Sequence, residues 1–444
     1  MAFLPPFGCF KRPLEHSSLP CLTSVTNLTN ISMPNPKVLL VANTSWYLYN
    51  FRLPLMRDLR DAGYLVTAVA PHDAYTNLLQ TEGFTVHQWQ VARRSINPLR
   101  ELYALVDLMR IYQREHPKLV HHFTIKACLY GTIAAKLSGV IHVINAITGL
   151  GHVFINTGKI SRLLRFALKP IYKLIFRSRR ATIIFQNAED QSHLSHLGIV
   201  DSRRTKLIRS SGVDVNYFNR SAIIRDITSG VNQNPACPIS FHSPVRLLFP
   251  SRLIAEKGVN ELLTACRNLW KQGANLELLI AGAIDGGNPS SLTTDELAEL
   301  RADPRIHCLG HVSDMRNIYA KCDLVVLPSW REGLSRALIE AAAMECPIIT
   351  TNVPGCRDVV DHGRNGLLVP PHDAIALQLA ITLLIEQPHL AFRFGREARR
   401  KVVSEFQVSV VNEHTINIYR SLLPITSGVI PASKDYLTSS VTAT

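Results

Sequence analysis

No uninterrupted apolar run in this 444-residue sequence approaches the ~18–20 residues that cross a bilayer. No C-x-x-C pair occurs, and no His/Cys cluster has the spacing of a metal site. The nine cysteines are scattered, and Cys128, Cys266, Cys308 and Cys322 sit in apolar patterns. That favours buried free thiols in a reducing compartment over disulfides. Acid is the scarcer charge: 34 Asp+Glu stand against 48 Lys+Arg, a net charge of +14. An acidic partner follows, with anionic lipid, a diphosphate ligand and nucleic acid all in view. At 46% hydrophobic and 18% charged the chain is globular rather than disordered. It is too long for one core and suggests two domains of about 200 residues each.

The first 36 residues differ from the rest. Pro5, Pro6, Pro13, Pro20, Pro34 and Pro36 break the apolar start too often for a signal-peptide core. This leader, 1–36, is expected to be disordered and outside the fold, and Met33 offers an alternative start.

From Lys37 onward, strand and helix patterns alternate. Strands are expected at Lys37–Ala42, Leu65–Ala70, Leu119–Phe123, His142–Ile147, Ala181–Gln186 and Lys206–Arg209. A polar, proline-bearing stretch follows, and alternation restarts with strands at Val245–Phe249, Leu276–Ala281, Ile306–Leu309, Leu324–Leu327, Ile348–Thr350 and Gly366–Val369. Such alternation indicates parallel sheets covered on both faces. The expected architecture is α/β: two Rossmann-like domains, 37–219 and 245–423, facing a cleft, with a linker at 220–244 and a polar tail at 424–444. Ligands of such sheets sit at the carboxyl ends of strands.

Three segments converge there. Phe249–Gly258 ends a strand and offers Arg252, a planar fork, and Lys257, a mobile point charge, for a diphosphate. Leu309–Val312 can hold a base with backbone groups beside His311 and Val312. Pro328–Glu340 places Glu332 on a loop and Glu340 inside a helix expected over Arg336–Cys346, with Ser335 as N-cap. A strand end, a Gly-containing loop and a helix N-terminus favour a ligand carrying phosphate. A sugar nucleotide, polar at both ends and anionic in the middle, is such a ligand.

The E-x7-E spacing of Glu332 and Glu340, the segment Arg252 to Lys257-Gly258, Gly212-Val-Asp214 and Asn365-Gly-Leu-Leu-Val369 occur in this order. In these the chain resembles family 4 glycosyltransferases of the GT-B fold over residues 37–423. The resemblance implies that Arg252 and Lys257 bind the donor diphosphate, that Glu332 contacts the donor sugar and Glu340 the ribose. It also implies that Gly333 and Leu334 present backbone N–H groups, and that Gly212 belongs to the donor site. Asn43–Arg52, His121–Lys126 and Asn145–Gly151 resemble a bacterial subgroup that includes the N-glycan α-1,3-N-acetylgalactosaminyltransferases and polysaccharide-assembly transferases. Its members extend polyprenyl-diphosphate-linked saccharides, which places Arg52, His121, Lys126, Thr148 and Gly149 on the acceptor side. The first loop, Asn43-Thr-Ser-Trp46, departs from the glycine-rich loop of many family members. Several of them carry a histidine near the position of Thr148, which leaves open the group that stands in for it here. His121, His122 and Lys126 are expected at a strand end facing the cleft, with His122 the catalytic candidate and a packed histidine the alternative for either ring.

No D-x-D motif stands where a metal-dependent enzyme of the other common fold needs one, so no metal or cofactor is expected beyond the nucleotide sugar, a UDP-sugar for preference. Family behaviour implies retention at the anomeric carbon. Lys159–Arg180 carries eight basic and no acidic residues, among them Arg162, Arg165, Lys169 and Lys173, with apolar side chains between. Such a segment fits an anionic membrane surface, and no recognition module supports nucleic acid. The expectation is a cytoplasmic enzyme peripheral on the inner face of the plasma membrane. The alternatives are a UDP-N-acetylglucosamine 2-epimerase, which needs no lipid acceptor, and a non-catalytic sugar-nucleotide-binding protein.

Overall fold

The computed structural model describes residues 35–92, 95, 97–147, 169–170, 172–228 and 241–425. Most of the leader, residues 229–240 of the expected linker, nearly all of the tail, and Thr148, Gly149, Arg162 and Arg165 lie outside them.

One packed unit begins at Asn35, built on two wholly parallel sheets. The first has seven strands: β1 Lys37–Val41, β2 Leu65–Ala70, β3 Thr85–Gln88, β4 Leu119–Phe123, β5 His142–Ile147, β6 Ala181–Phe185 and β7 Thr205–Leu207, in the order β3-β2-β1-β4-β5-β6-β7. The second has six: β8 Val245–Phe249, β9 Leu276–Ile280, β10 Ile306–Cys308, β11 Leu324–Leu327, β12 Ile348–Thr351 and β13 Leu367–Val369, in the order β10-β9-β8-β11-β12-β13. Helices cover both faces, so the central strands bury nearly all of their side chains. Val38 to Val41 and Leu324 to Val326 are fully buried, which is why they read as continuous apolar runs. Strand order reverses between β1 and β4 in the first sheet and between β8 and β11 in the second. Ligands of this fold bind outside such reversal points. The loops after β8 and β11 are those that carry Arg252, Lys257 and Glu332.

The structure redraws the expected domain limits. Ile208 belongs to the core of the first lobe, whereas Val213, Val215, Phe218 and Ile223 belong to that of the second. The chain therefore crosses before the expected linker, whose first part is the helix Arg220–Thr228. No element is expected from periodicity after Val369, yet three helices follow: Ala374–Glu386, Pro388–Glu405 and Val408–Leu422. The last returns to the first lobe, where Val411, Ile416, Ile418 and Tyr419 join its core. The two crossings touch: Val213 N–H donates to Phe406 O at 2.9 Å and Val408 N–H to Val213 O at 3.0 Å. Gly212 lies between them with φ of 76°, and a Cβ there would stand 2.5 Å from the Val408 Cα. Only glycine fits that approach.

Candidate active site

The loop after β8 ends in Gly258, with φ of 75° and a hypothetical Cβ only 2.0 Å from the Pro328 carbonyl oxygen. This close approach packs it against the loop after β11. Trp330 N–H donates to Glu256 O at 2.9 Å, and Trp330 Nε1 donates to Glu261 at 2.9 Å. Lys257 Nζ donates to Glu332 Oε1 in a mostly buried ion pair, and Ser329 Oγ donates to the same oxygen at 2.8 Å. Glu332 N–H bonds to Pro354 O and Ser335 N–H to Gly355 O, both at 3.3 Å. The Gly333 and Leu334 N–H groups between them make no bond to a described residue.

The helix that follows runs Arg336–Ala343 and is shorter than expected. It stops before Glu345, whose φ is 58°. Ser335 has the extended backbone of an N-cap, but its side chain makes no capping bond. The first-turn N–H groups of this helix therefore also lack a side-chain acceptor among the described residues. Within the helix, Arg336 Nε donates to Glu340 Oε1 at 2.7 Å. Burial pushes the Glu340 carboxyl above the ordinary carboxylate range, with Arg336 acting against the shift. Arg336 also spans the cleft: Nη1 donates to Asn50 O at 3.0 Å, and the guanidinium lies 4.6 Å from the Phe51 ring centre. A cavity of about 700 Å³ opens beside it. Gly212, His311, Val312 and Glu340 line one side, Trp46 and Asn50 the other.

The structure thus brings Gly212, His311, Val312 and Glu340 around one space and joins Lys257 to Glu332 on the loop leading into it. Arg252, expected to share the diphosphate with Lys257, is half-exposed and engaged by Asp285.

The acceptor-side expectations need correction. His121 and His122 are expected at a strand end facing the cleft, but both are buried in β4. His122 Nε2 meets Tyr112 OH at 2.8 Å and Nδ1 meets Asn145 Oδ1 at 2.7 Å, so both ring nitrogens are committed inside the first lobe. Burial lowers its pKa to about 4, with the Asn145 bond opposing. This is the packed alternative, and it removes the geometric ground for His122 as a proton carrier. His121 Nδ1 pairs with Tyr419 OH at 2.9 Å, and burial, then the Arg52 charge, holds it well below the usual histidine range. Arg52 is 6% exposed, packed 4.4 Å over the Phe123 ring with Nη2 donating to Tyr47 OH at 3.0 Å. Lys126 is held by the Ala92 and Ser95 carbonyls and by Glu101 at 2.7–2.9 Å. In the basic stripe, Lys169, Lys173 and Arg177 are exposed, but Ile175 and Phe176 are packed into the protein and only Leu174, at 73%, projects among the described apolar side chains.

Arg336 escaped the sequence reading, although its i, i+4 spacing to Glu340 is a recognisable helical pair. Trp46 and Asn50 lie in the segment Asn43–Arg52 that carries the subgroup resemblance, but neither is singled out as a site residue, because they reach the site only through the contact between lobes.

Residues 37–187 match the glycosyl transferase 4-like family model, and residues 239–401 match that of glycosyl transferases group 1. The chain is similar to the N,N'-diacetylbacillosaminyl-diphospho-undecaprenol alpha-1,3-N-acetylgalactosaminyltransferase of Campylobacter jejuni, 25% identical over 84% of this chain and 95% of that protein. It is also similar to a capsular polysaccharide biosynthesis glycosyltransferase of Staphylococcus aureus, 26% identical over 76% of this chain and 85% of the relative. Among solved structures, the Anabaena protein HepE in complex with UDP-glucose superposes with a TM-score of 0.67 at 19% identity, over 87% of this chain and 99% of that one. That likeness concerns the fold.

Proposed function

Because the chain belongs to the glycosyl transferases of group 1 and of the 4-like family, we propose that it moves a hexose or N-acetylhexosamine from a nucleotide sugar to a lipid-linked saccharide in polysaccharide or glycan assembly. A UDP-sugar is the favoured donor. The observation that carries this reading is the Glu332–Glu340 loop. It offers two unbonded N–H groups and an uncapped helix N-terminus between two carboxylates, with Lys257 beside the first. A diphosphate accepts from those N–H groups and draws Lys257 from Glu332, which frees that carboxylate for sugar hydroxyls. Glu340 accepts from the ribose, and the base lies along His311 and Val312. Arg252 joins when it leaves Asp285.

The departing diphosphate carries the negative charge that develops in transfer, and these fixed donors stabilise it. With retention, the acceptor hydroxyl attacks the anomeric carbon on the face the diphosphate leaves. Its proton passes to a leaving phosphate oxygen. A trapped covalent glycosyl-enzyme would contradict this route.

The lipid-linked acceptor rests on the names of the relatives and on the surface near Lys173. Lys136, Leu137, Lys173, Leu174 and Arg177 border one groove, a basic and apolar mixture suited to an anionic membrane. This supports a peripheral enzyme at the inner face of the plasma membrane. Incubation with UDP- and GDP-sugars, then with polyprenyl-diphosphate saccharides, tests the proposal. Acceptor-dependent release of one nucleotide and a product with the donor's anomeric configuration are expected. No product from any pairing would refute it.

A further inference from the structure

The turn after β6 reaches across the cleft to the loop that carries Glu332. Asn187, 1% exposed, caps the helix Ala188–His196: its Oδ1 accepts from Asp190 N–H at 2.7 Å. Its amide Nδ2 does two further things. It donates to Asp190 Oδ2 at 3.0 Å and, in the other lobe, to the Gly333 carbonyl at 2.7 Å. Asp190, 2% exposed, takes the Arg331 guanidinium on its remaining oxygen. Both neighbours of Glu332 are thus held by the first lobe, while Glu332 itself is held by Lys257 and Ser329 of the second.

A peptide unit is planar and trans, so the carbonyl of one residue and the N–H of the next point in opposite directions. With the Gly333 carbonyl fixed on Asn187, the Leu334 N–H is turned away from the first lobe, and it is one of the two unbonded donors described above. Nothing in a glycine fixes that plane from within. A cap alone requires only the side-chain oxygen of Asn187, so the bond to Gly333 and the buried Asp190–Arg331 pair beside it are surplus to capping.

We propose that Asn187, seated by Asp190 and Arg331, is a positioning residue through which the first lobe orients the Leu334 N–H toward the donor diphosphate. Contact between the lobes is then a condition for gripping the donor. The role assigned to Leu334 rests on the donor reading above.

Asn187→Ser keeps a capping oxygen and loses the amide that reaches Gly333. In the full chain, calorimetry with UDP and GDP is expected to show a Kd raised roughly three- to tenfold for the nucleotide that binds, with a melting temperature lowered by the lost buried hydrogen bonds but a folded protein at the temperature of the titration. Asn187→Asp, which also retains a cap, is expected to lose affinity as well. Unchanged affinity in both folded variants overturns the proposal. So does a weakened Kd accompanied by lost exchange protection throughout Ala188–His196, which would reduce Asn187 to a cap. If the unsubstituted protein binds neither nucleotide, the donor reading fails and the positioning claim is judged by hydrogen exchange. Faster exchange of the Glu332 and Ser335 amides in Asn187→Ser supports it, and identical exchange overturns it.

Discussion

Lys257 and Glu332 neutralise each other in the structure, and the proposed reaction needs both for different reasons. In that proposal the lysine is the mobile charge that answers a diphosphate. The glutamate holds it in place until then and is proposed to take the sugar once the lysine leaves. Lys257→Ala and Glu332→Ala are each expected to cut transfer at least a hundredfold, measured as nucleotide release. Each leaves a mostly buried partner uncompensated at a cost of roughly 1–3 kcal/mol, so circular dichroism should still report a folded protein. Glu340 makes a separate prediction. Its carboxyl is raised by burial, and a protonated carboxyl is a poorer acceptor for ribose hydroxyls. Affinity for a UDP-sugar should therefore fall as pH falls through a point above the ordinary ~4.3. Glu340→Gln should bind weakly with no such acid limb, and an identical limb in that variant would show that another group titrates. At this scale the sequence was legible where spacing and strand ends locate a charge, as at Lys257, Glu332 and Glu340. It was not legible at His122, because β4 alternates its side chains between two faces. One face leads to Tyr419, the other to Tyr112 and Asn145, and neighbours so distant in sequence leave no local trace.

Strand–helix–strand units position the site through their carboxyl-end loops, and glycine permits a close contact between two of them. Gly258 combines a positive φ with a hypothetical Cβ 2.0 Å from the Pro328 oxygen, whereas Gly273, at φ of 83°, has nothing within 4 Å. Gly273→Ala should cost about 1 kcal/mol for the backbone alone. Gly258→Ala must also separate the loops after β8 and β11. It is expected to destabilise the protein by several times as much in chemical denaturation and to abolish transfer, and equal costs for the two variants would contradict this packing account. Apolar periodicity disclosed most strands, since buried parallel strands are continuous apolar runs. It missed the helix Arg220–Thr228, whose polar composition and nearby prolines suggested a linker. It also missed Val408–Leu422, whose apolar side chains serve the core of the distant first lobe rather than of the neighbouring one.

The two lobes are joined by adjacent crossings, by the return of the last helix, and by side chains such as Arg336 and Asn187 that reach over the cleft. The first lobe encloses His121 and His122 as neutral imidazoles, and acid should loosen it. The unfolded chain binds protons below about pH 6.5, while folded His122 resists until about 4, so stability is full above the former and is lost as pH falls toward the latter. His122 alone supplies a loss of roughly 3 kcal/mol across that window. Melting temperatures between pH 7 and 4 should fall accordingly, and His122→Gln should show a shallower decline. Two sheets and a cleft were legible in the order of strands, whereas the route of the chain between lobes was not, because both crossings are short and depend on one tight glycine. The central claim is that a nucleotide sugar lies along the Glu332–Glu340 loop with its diphosphate on Lys257. Calorimetric titration of the intact chain and of Lys257→Ala with a panel of UDP- and GDP-sugars tests it most directly. Saturable binding of a donor that weakens at least tenfold in the variant is expected, and no heat from any donor, or equal affinity in both proteins, would contradict it.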